Sequence, residues 1–68
     1  MIQSILIPIE YYTLHQALNW LIKHNYYNTS DKVDITTNYY RFRQKEPNKN
    51  KKHKTIELKD KVKMIIEY

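Results

Sequence analysis

Residues 38–44, Asn-Tyr-Tyr-Arg-Phe-Arg-Gln, place aromatic rings on both sides of an extended chain but cations on only one. Side chains alternate across a strand, so Tyr40 and Phe42 share one face while Tyr39, Arg41 and Arg43 share the other. The first pair suits the underside of a helix. The second set forms an open surface of guanidinium groups beside a phenol. The stretch reads as the central strand of a small sheet that a helix covers on one side only.

The runs around it support such a sheet. Ser4–Pro8 reads as a short strand, with Ile5 and Ile7 pointing one way and Ser4 and Leu6 the other; Pro8, lacking an N–H, suits a strand end or an edge. Thr13-Leu14-His15-Gln16 has the pattern of a capping box. Leu14, Ala17, Leu18, Leu21 and Ile22 follow as one helical stripe, with Trp20 at its border and its N–H left to solvent. Lys23 and His24 complement the negative end of the helix dipole, and Asn25 suits a left-handed stop, which places the helix over about residues 13–24. Tyr26 to Asp31 is a connection rich in turn formers. Lys32–Ile35 forms a short strand that turns through residues 36–38 into the Tyr39–Gln44 run. Thr55–Leu58 and Val62–Tyr68 alternate on either side of Lys59-Asp60-Lys61 and read as a terminal hairpin, with Val62, Met64 and Ile66 inward and Lys63, Ile65 and Glu67 outward.

The fold class that follows is α+β. One helix packs on one face of a small, mainly antiparallel sheet of three to four strands, in the order strand, helix, then strands. Sixty-eight residues make a single domain, 1–68. A chain of this length buries only roughly 60% of its unfolded surface and leaves little room for a deep catalytic cleft. With no cysteine there is no disulfide and no thiolate chemistry, which fits a reducing compartment. No apolar run approaches the roughly 20 residues of a membrane span, and the first seven residues carry no basic lead before Pro8 and Glu10, unlike a secretory signal.

Charge is where the chain departs from an ordinary small domain. Its net +5 is concentrated: Arg41, Arg43, Lys45, Lys49, Lys51, Lys52 and Lys54 face only Glu46 within residues 41–54, a net +6 that leaves −1 for all other positions. Residues 45–54 hold five lysines, two asparagines and Pro47 with no large apolar side chain, the composition of a mobile basic loop. A localised excess of this kind points to an anionic partner. Arginine pairs bidentately with phosphate and aromatic faces stack bases, so Tyr39, Arg41 and Arg43 with the lysines Lys45, Lys49, Lys51, Lys52 and Lys54 are the candidate nucleic-acid-binding residues. The competing reading is a solvated strand face whose arginines pair with Asp34, Glu57 or Glu67 on neighbouring strands.

Other chemistry finds little support. His15, His24 and His53 lack metal-ligand spacing, no nucleophile stands beside a base, and a chain without glycine has no glycine-rich phosphate loop. No metal or cofactor is expected, and the expectation is a non-enzyme. A small basic ribonuclease using Tyr39, Arg41, Arg43 and His53 stays open as an alternative.

The chain resembles a small domain family of tailed phages, prophages and large DNA viruses. The resemblance is carried by Ser4-Ile5-Leu6-Ile7-Pro8, Ala17, Trp20-Leu21, His24, Val33-Asp34, the distinctive Asn38–Gln44 block, Thr55-Ile56, Leu58, Val62, Ile65-Ile66 and Tyr68. It departs from the family pattern at two turn positions, where Asn25 and Lys61 stand in place of glycine. The resemblance implies a viral source, which the abundance of A/T-rich codons (Lys, Ile, Asn, Tyr) accommodates, but no catalytic residues. The resulting expectation is a viral protein, within the virion or the host-cell interior and not secreted. It binds nucleic acid non-specifically, as a monomer or small homo-oligomer away from membranes. The alternative is a structural or adaptor protein of the particle that contacts other virion proteins.

Overall fold

Ile2–Pro8 (β1) is apolar or buried at every position, a run that needs strands on both edges. It takes the middle of the sheet for that reason. The computed structural model describes residues 1–26, 33–46 and 48–68. After β1 come helix α1 (Leu14–Lys23), β2 (Val33–Ile35), β3 (Tyr39–Arg43), β4 (His53–Glu57) and β5 (Lys63–Glu67). The sheet order is β2-β3-β1-β5-β4, and every neighbouring pair is antiparallel.

The α+β class stands, with one helix among the described residues, and two corrections follow. The sheet has five strands rather than three or four, because even the three-residue β2 pairs in register with β3. The centre is β1, whereas β3, the expected centre, lies second from an edge. Local alternation marks a strand but carries no information about its distant neighbours, and here those neighbours decide the order.

The helix forms where its caps dictate. Gln16 N–H donates to Thr13 Oγ1 at 3.1 Å and Thr13 N–H donates to Gln16 Oε1 at 2.9 Å, closing the capping box. Ala17, Trp20 and Leu21 are its buried face. They meet Ile5, Ile7, Phe42, Val62 and Met64 in one core, with Leu18, Tyr26, Val33 and Tyr40 at its margin. The helix ends as Asn25 takes φ 61°. Lys61, in the β4–β5 turn, is the other described residue at positive φ, at 71°. Asparagine and lysine here occupy left-handed backbone that costs a Cβ-bearing residue roughly 1–2 kcal/mol, asparagine being among the residues that tolerate it best.

Trp20 corrects a further expectation. Its indole N–H does not stay in water: it donates to Asp60 Oδ2 at 2.6 Å, and the ring is only 7% exposed. Asp60 Oδ1 also accepts the Val62 N–H, and the Asp60 carbonyl accepts the Tyr12 hydroxyl at 3.0 Å. Burial, and then the Asp60 charge, raise the Tyr12 phenol above its ordinary value and keep it a donor. The hairpin turn is thereby tied to the helix. The rings of His24 and Tyr26 stack on Trp20, with centroids at 4.0 and 5.9 Å.

The two hairpins are as expected. Thr36 Oγ1 accepts the Tyr39 N–H at 3.0 Å and Thr36 N–H donates to the Tyr39 carbonyl, closing β2–β3. Leu58 N–H donates to the Val62 carbonyl at 2.8 Å, closing β4–β5. Residues 27–31 of the connection, Lys32 and Pro47 lie outside the described residues. No helix among the described residues is long and apolar enough to cross a membrane.

Candidate nucleic-acid interface

The pleat separates the two faces of the sheet. Ile5, Ile7, Tyr40, Phe42, Met64 and Ile56 lie on the side of α1; the register puts Ser4, Leu6, Tyr39, Arg41, Arg43, Lys63, Ile65, Thr55 and Glu57 on the other. Tyr39, Arg41 and Arg43 thus share the face that α1 leaves uncovered. Across it, Arg41 aligns with Asp34, Leu6, Lys63 and Glu57, and Arg43 aligns with Ser4, Ile65 and Thr55. Tyr39 stands opposite Pro8.

The three expected residues differ in how free they are. Arg43 lies 3.8 Å from Asp34 and 3.9 Å from Glu46, both beyond hydrogen-bond range and solvent-exposed, a loose arrangement worth little. The Arg41 guanidinium makes no ion pair among the described residues, and its Nε is buried without a hydrogen-bond partner. Tyr39 lies beneath a cation: Lys63 Nζ is 5.4 Å from its ring centroid. The Lys63 ammonium is held above the ordinary lysine range, first by hydrogen bonding to Tyr39 and attraction to that phenol. Burial opposes the shift and Glu57 adds a smaller contribution to it.

Lys63 is the residue of this face that sequence reasoning left out of the site. Its outward direction is legible from the alternation of residues 62–68. Its place across Leu6 from Arg41 depends on the pairing of β5 with β1, which no local signal marks. Two strand spacings separate Lys63 from Arg41, about 10 Å.

The basic segment divides. Lys45 is not a free cation, because its Nζ lies 2.6 Å from Glu67 Oε1. Glu67, expected on the outside, is buried: its second oxygen accepts the Asn48 N–H at 3.0 Å and meets His53 Nε2 at 3.1 Å. Hydrogen bonding from Lys45, then from Asn48 and with a smaller part from His53, outweighs burial and lowers the Glu67 carboxyl to about 2. The segment is fastened at its far end too, where Lys52 and Tyr68 exchange both backbone hydrogen bonds at 2.9 Å. Lys49, Lys51 and Lys52 are exposed at the end of the sheet where β3 leaves and β4 begins. His53 and Lys54 belong to β4. Lys54 lies on the side of Ile56, away from the arginines, with its ammonium 5.5 Å from the Tyr68 ring centroid.

His53 is not brought together with Arg41 and Arg43. Three strand spacings, about 14 Å, separate β4 from β3. The His53 Nε2 meets Glu67 Oε2 at 3.1 Å instead.

No protein-family model, curated protein or solved structure matches this chain.

Proposed function

We propose that this domain binds nucleic acid non-specifically through the uncovered face of its sheet, as a small viral genome-handling or virion-associated protein. The single observation that carries the reading is Arg41. It sits mid-strand, half-buried against Leu6, with no carboxylate holding it among the described residues and with a second cation, Lys63, across the same row. A buried guanidinium nitrogen without an acceptor is costly. A phosphate over the outer nitrogens would supply by contact the counter-charge that Asp34, opposite on β2, and Glu57, in the same row, do not bring within ion-pair distance. Tyr39 adds an aromatic surface at one end, and Arg43, Lys49, Lys51 and Lys52 extend the positive region at the other.

The test is a titration of fluorescent single- and double-stranded DNA and RNA against salt. Three face cations, Arg41, Arg43 and Lys63, set a log–log slope of about −2 on single strands and about −2.7 on duplex DNA. A steeper slope brings in the loop lysines. The reading is sunk if nothing binds tighter than about 100 μM at low salt, the weak end of ordinary non-specific affinity.

A second reading, a structural or adaptor protein of a virus particle, is favoured by one observation on the opposite side. Leu14 and Ile22 on α1 and Ile35 on β2 are 38%, 58% and 65% exposed. Apolar groups left in water near a helix and an edge strand suit a protein partner. Association with another protein that persists in high salt, without nucleic-acid binding, selects this reading over the first.

A further inference from the structure

We propose that the exposed edge of β4 is a self-pairing surface, through which a second copy of this chain joins the sheet about a two-fold axis at Thr55. β4 is the last strand of the sheet and all five of its residues are exposed. Of the usual protections of an edge it carries charge, in Lys54 and Glu57, but neither proline nor a bulge. It runs against β5 in unbroken register from His53 to Glu57.

The hydrogen-bond phase of β4 determines which groups face outward. Lys52 exchanges both backbone hydrogen bonds with Tyr68, and Leu58 N–H donates to the Val62 carbonyl. Hydrogen-bonded pairs alternate along an antiparallel ladder, so Lys54 with Ile66 and Ile56 with Met64 are also such pairs. His53, Thr55 and Glu57 therefore turn their N–H and C=O groups away from β5, toward the free edge.

These groups complement themselves. Antiparallel pairing centred on Thr55 sets Thr55 against Thr55 of the second copy, His53 against its Glu57 and Glu57 against its His53. Each outward N–H then meets an outward C=O. On the uncovered face His53, whose Nε2 meets Glu67 of its own chain, stands beside the second copy's Glu57 at both ends, and two threonines meet in the middle, pairs that stabilise a sheet. On the other face the Lys54 stem lies along Ile56 of the second copy. A shift of register by two residues sets Glu57 against Thr55 and leaves one outward residue of each copy outside the pairing. The other edge, β2, spans three residues, Val33–Ile35, with Asp34 in the middle. Residues directly opposite in a ladder share a face, so the paired sheet of ten strands carries both helices on one side and both sets of Arg41, Arg43 and Lys63 on the other.

The experiment uses the full chain, with sedimentation equilibrium from about 10 μM to about 1 mM, since an edge pairing of five residues buries less than a standard interface and dissociates readily. The expected mass moves from 8.4 kDa toward twice that value with concentration. In the same samples the amides of His53, Thr55 and Glu57 gain protection from hydrogen exchange as the dimer fills, while Lys54 and Ile56 are protected throughout. Thr55→Pro removes an N–H that β5 does not use, so it should keep the circular dichroism of the fold and remain monomeric. A monomer at the highest concentration overturns the proposal, as does a dimer in which residues 53, 55 and 57 exchange freely. The latter result would point to the apolar side near Ile22 and Ile35. A folded Thr55→Pro variant that dimerises as tightly as the parent overturns it equally. The exchange measurement on the parent chain decides the matter even if that variant fails to fold.

Discussion

The Lys45 ammonium sits 2.6 Å from the buried Glu67 carboxylate, joining the start of the basic segment to the last strand across 22 residues. With the Asn48 N–H and His53 on the same carboxylate, this contact closes the end of the sheet. Lys45 is consequently a fastening of the fold, and the other lysines after it are not equivalent to it.

The depressed Glu67 carboxyl makes stability depend on acid pH. Its folded value, about 2, lies below the ordinary 4.5, so the stabilisation is complete above pH 4.5 and is lost as pH falls toward 2. Glu67→Gln should have a lower urea midpoint than the parent at pH 6, and the two curves should converge between pH 4.5 and 2. A constant gap across that window would show that Glu67 contributes by shape and not by charge.

The same contact separates structural from binding cations. Arg41→Ala and Lys63→Ala should each weaken oligonucleotide binding and reduce the magnitude of the single-strand salt slope by about 0.7, with little change in thermal stability. Lys45→Ala should do the reverse, lowering the melting temperature while leaving the slope of the folded protein unchanged. Fluorescence anisotropy at several salt concentrations measures the first quantity and calorimetry the second. Equal slopes for all three variants and the parent would remove the sheet face from the binding surface.

Asp60 holds the indole of Trp20, the Val62 N–H and, through its carbonyl, the Tyr12 hydroxyl. Asp60→Ala leaves the indole N–H without its acceptor and should cost about 1.5–3 kcal/mol, the range for a hydrogen bond to a charged group. Asp60→Asn keeps an acceptor and should recover part of that loss. Urea unfolding followed by the fluorescence of Trp20 reads both. Identical midpoints for the alanine variant and the parent would mean that the contact adds nothing net.

Lys61 occupies left-handed backbone at φ 71° with its ammonium 5.1 Å from the Tyr11 ring centroid. Either Lys61→Gly or Lys61→Ala removes the ring contact, so comparing the two isolates the backbone. Glycine should be the more stable by about 1 kcal/mol, or a melting temperature roughly 4–8 °C higher for a domain of this size. An alanine variant as stable as the glycine variant would place Lys61 outside the left-handed region in solution.

Much of this protein follows from local pattern. Thr13 and Gln16 mark the helix start because their bonds span three residues, and Asn25 marks its end because left-handed backbone selects few residue types. The alternation of residues 39–43 and 63–67 assigns each side chain to a face, since the period of a strand is two wherever the strand lies. The joint placement of Tyr39, Arg41 and Arg43 on the face opposite Phe42 is therefore a local property. Sheet order is not. β1 lies between β3 and β5 because Ile5 pairs with Phe42 and with Met64, contacts spanning 37 and 59 residues that no short window records. The same long-range pairing brings Lys63 into the row of Arg41, and the packing that follows turns Trp20 onto Asp60 and encloses Glu67 beneath Lys45. Periodicity specifies direction along one strand. Only the assembled sheet decides which charges end up facing water and which face one another.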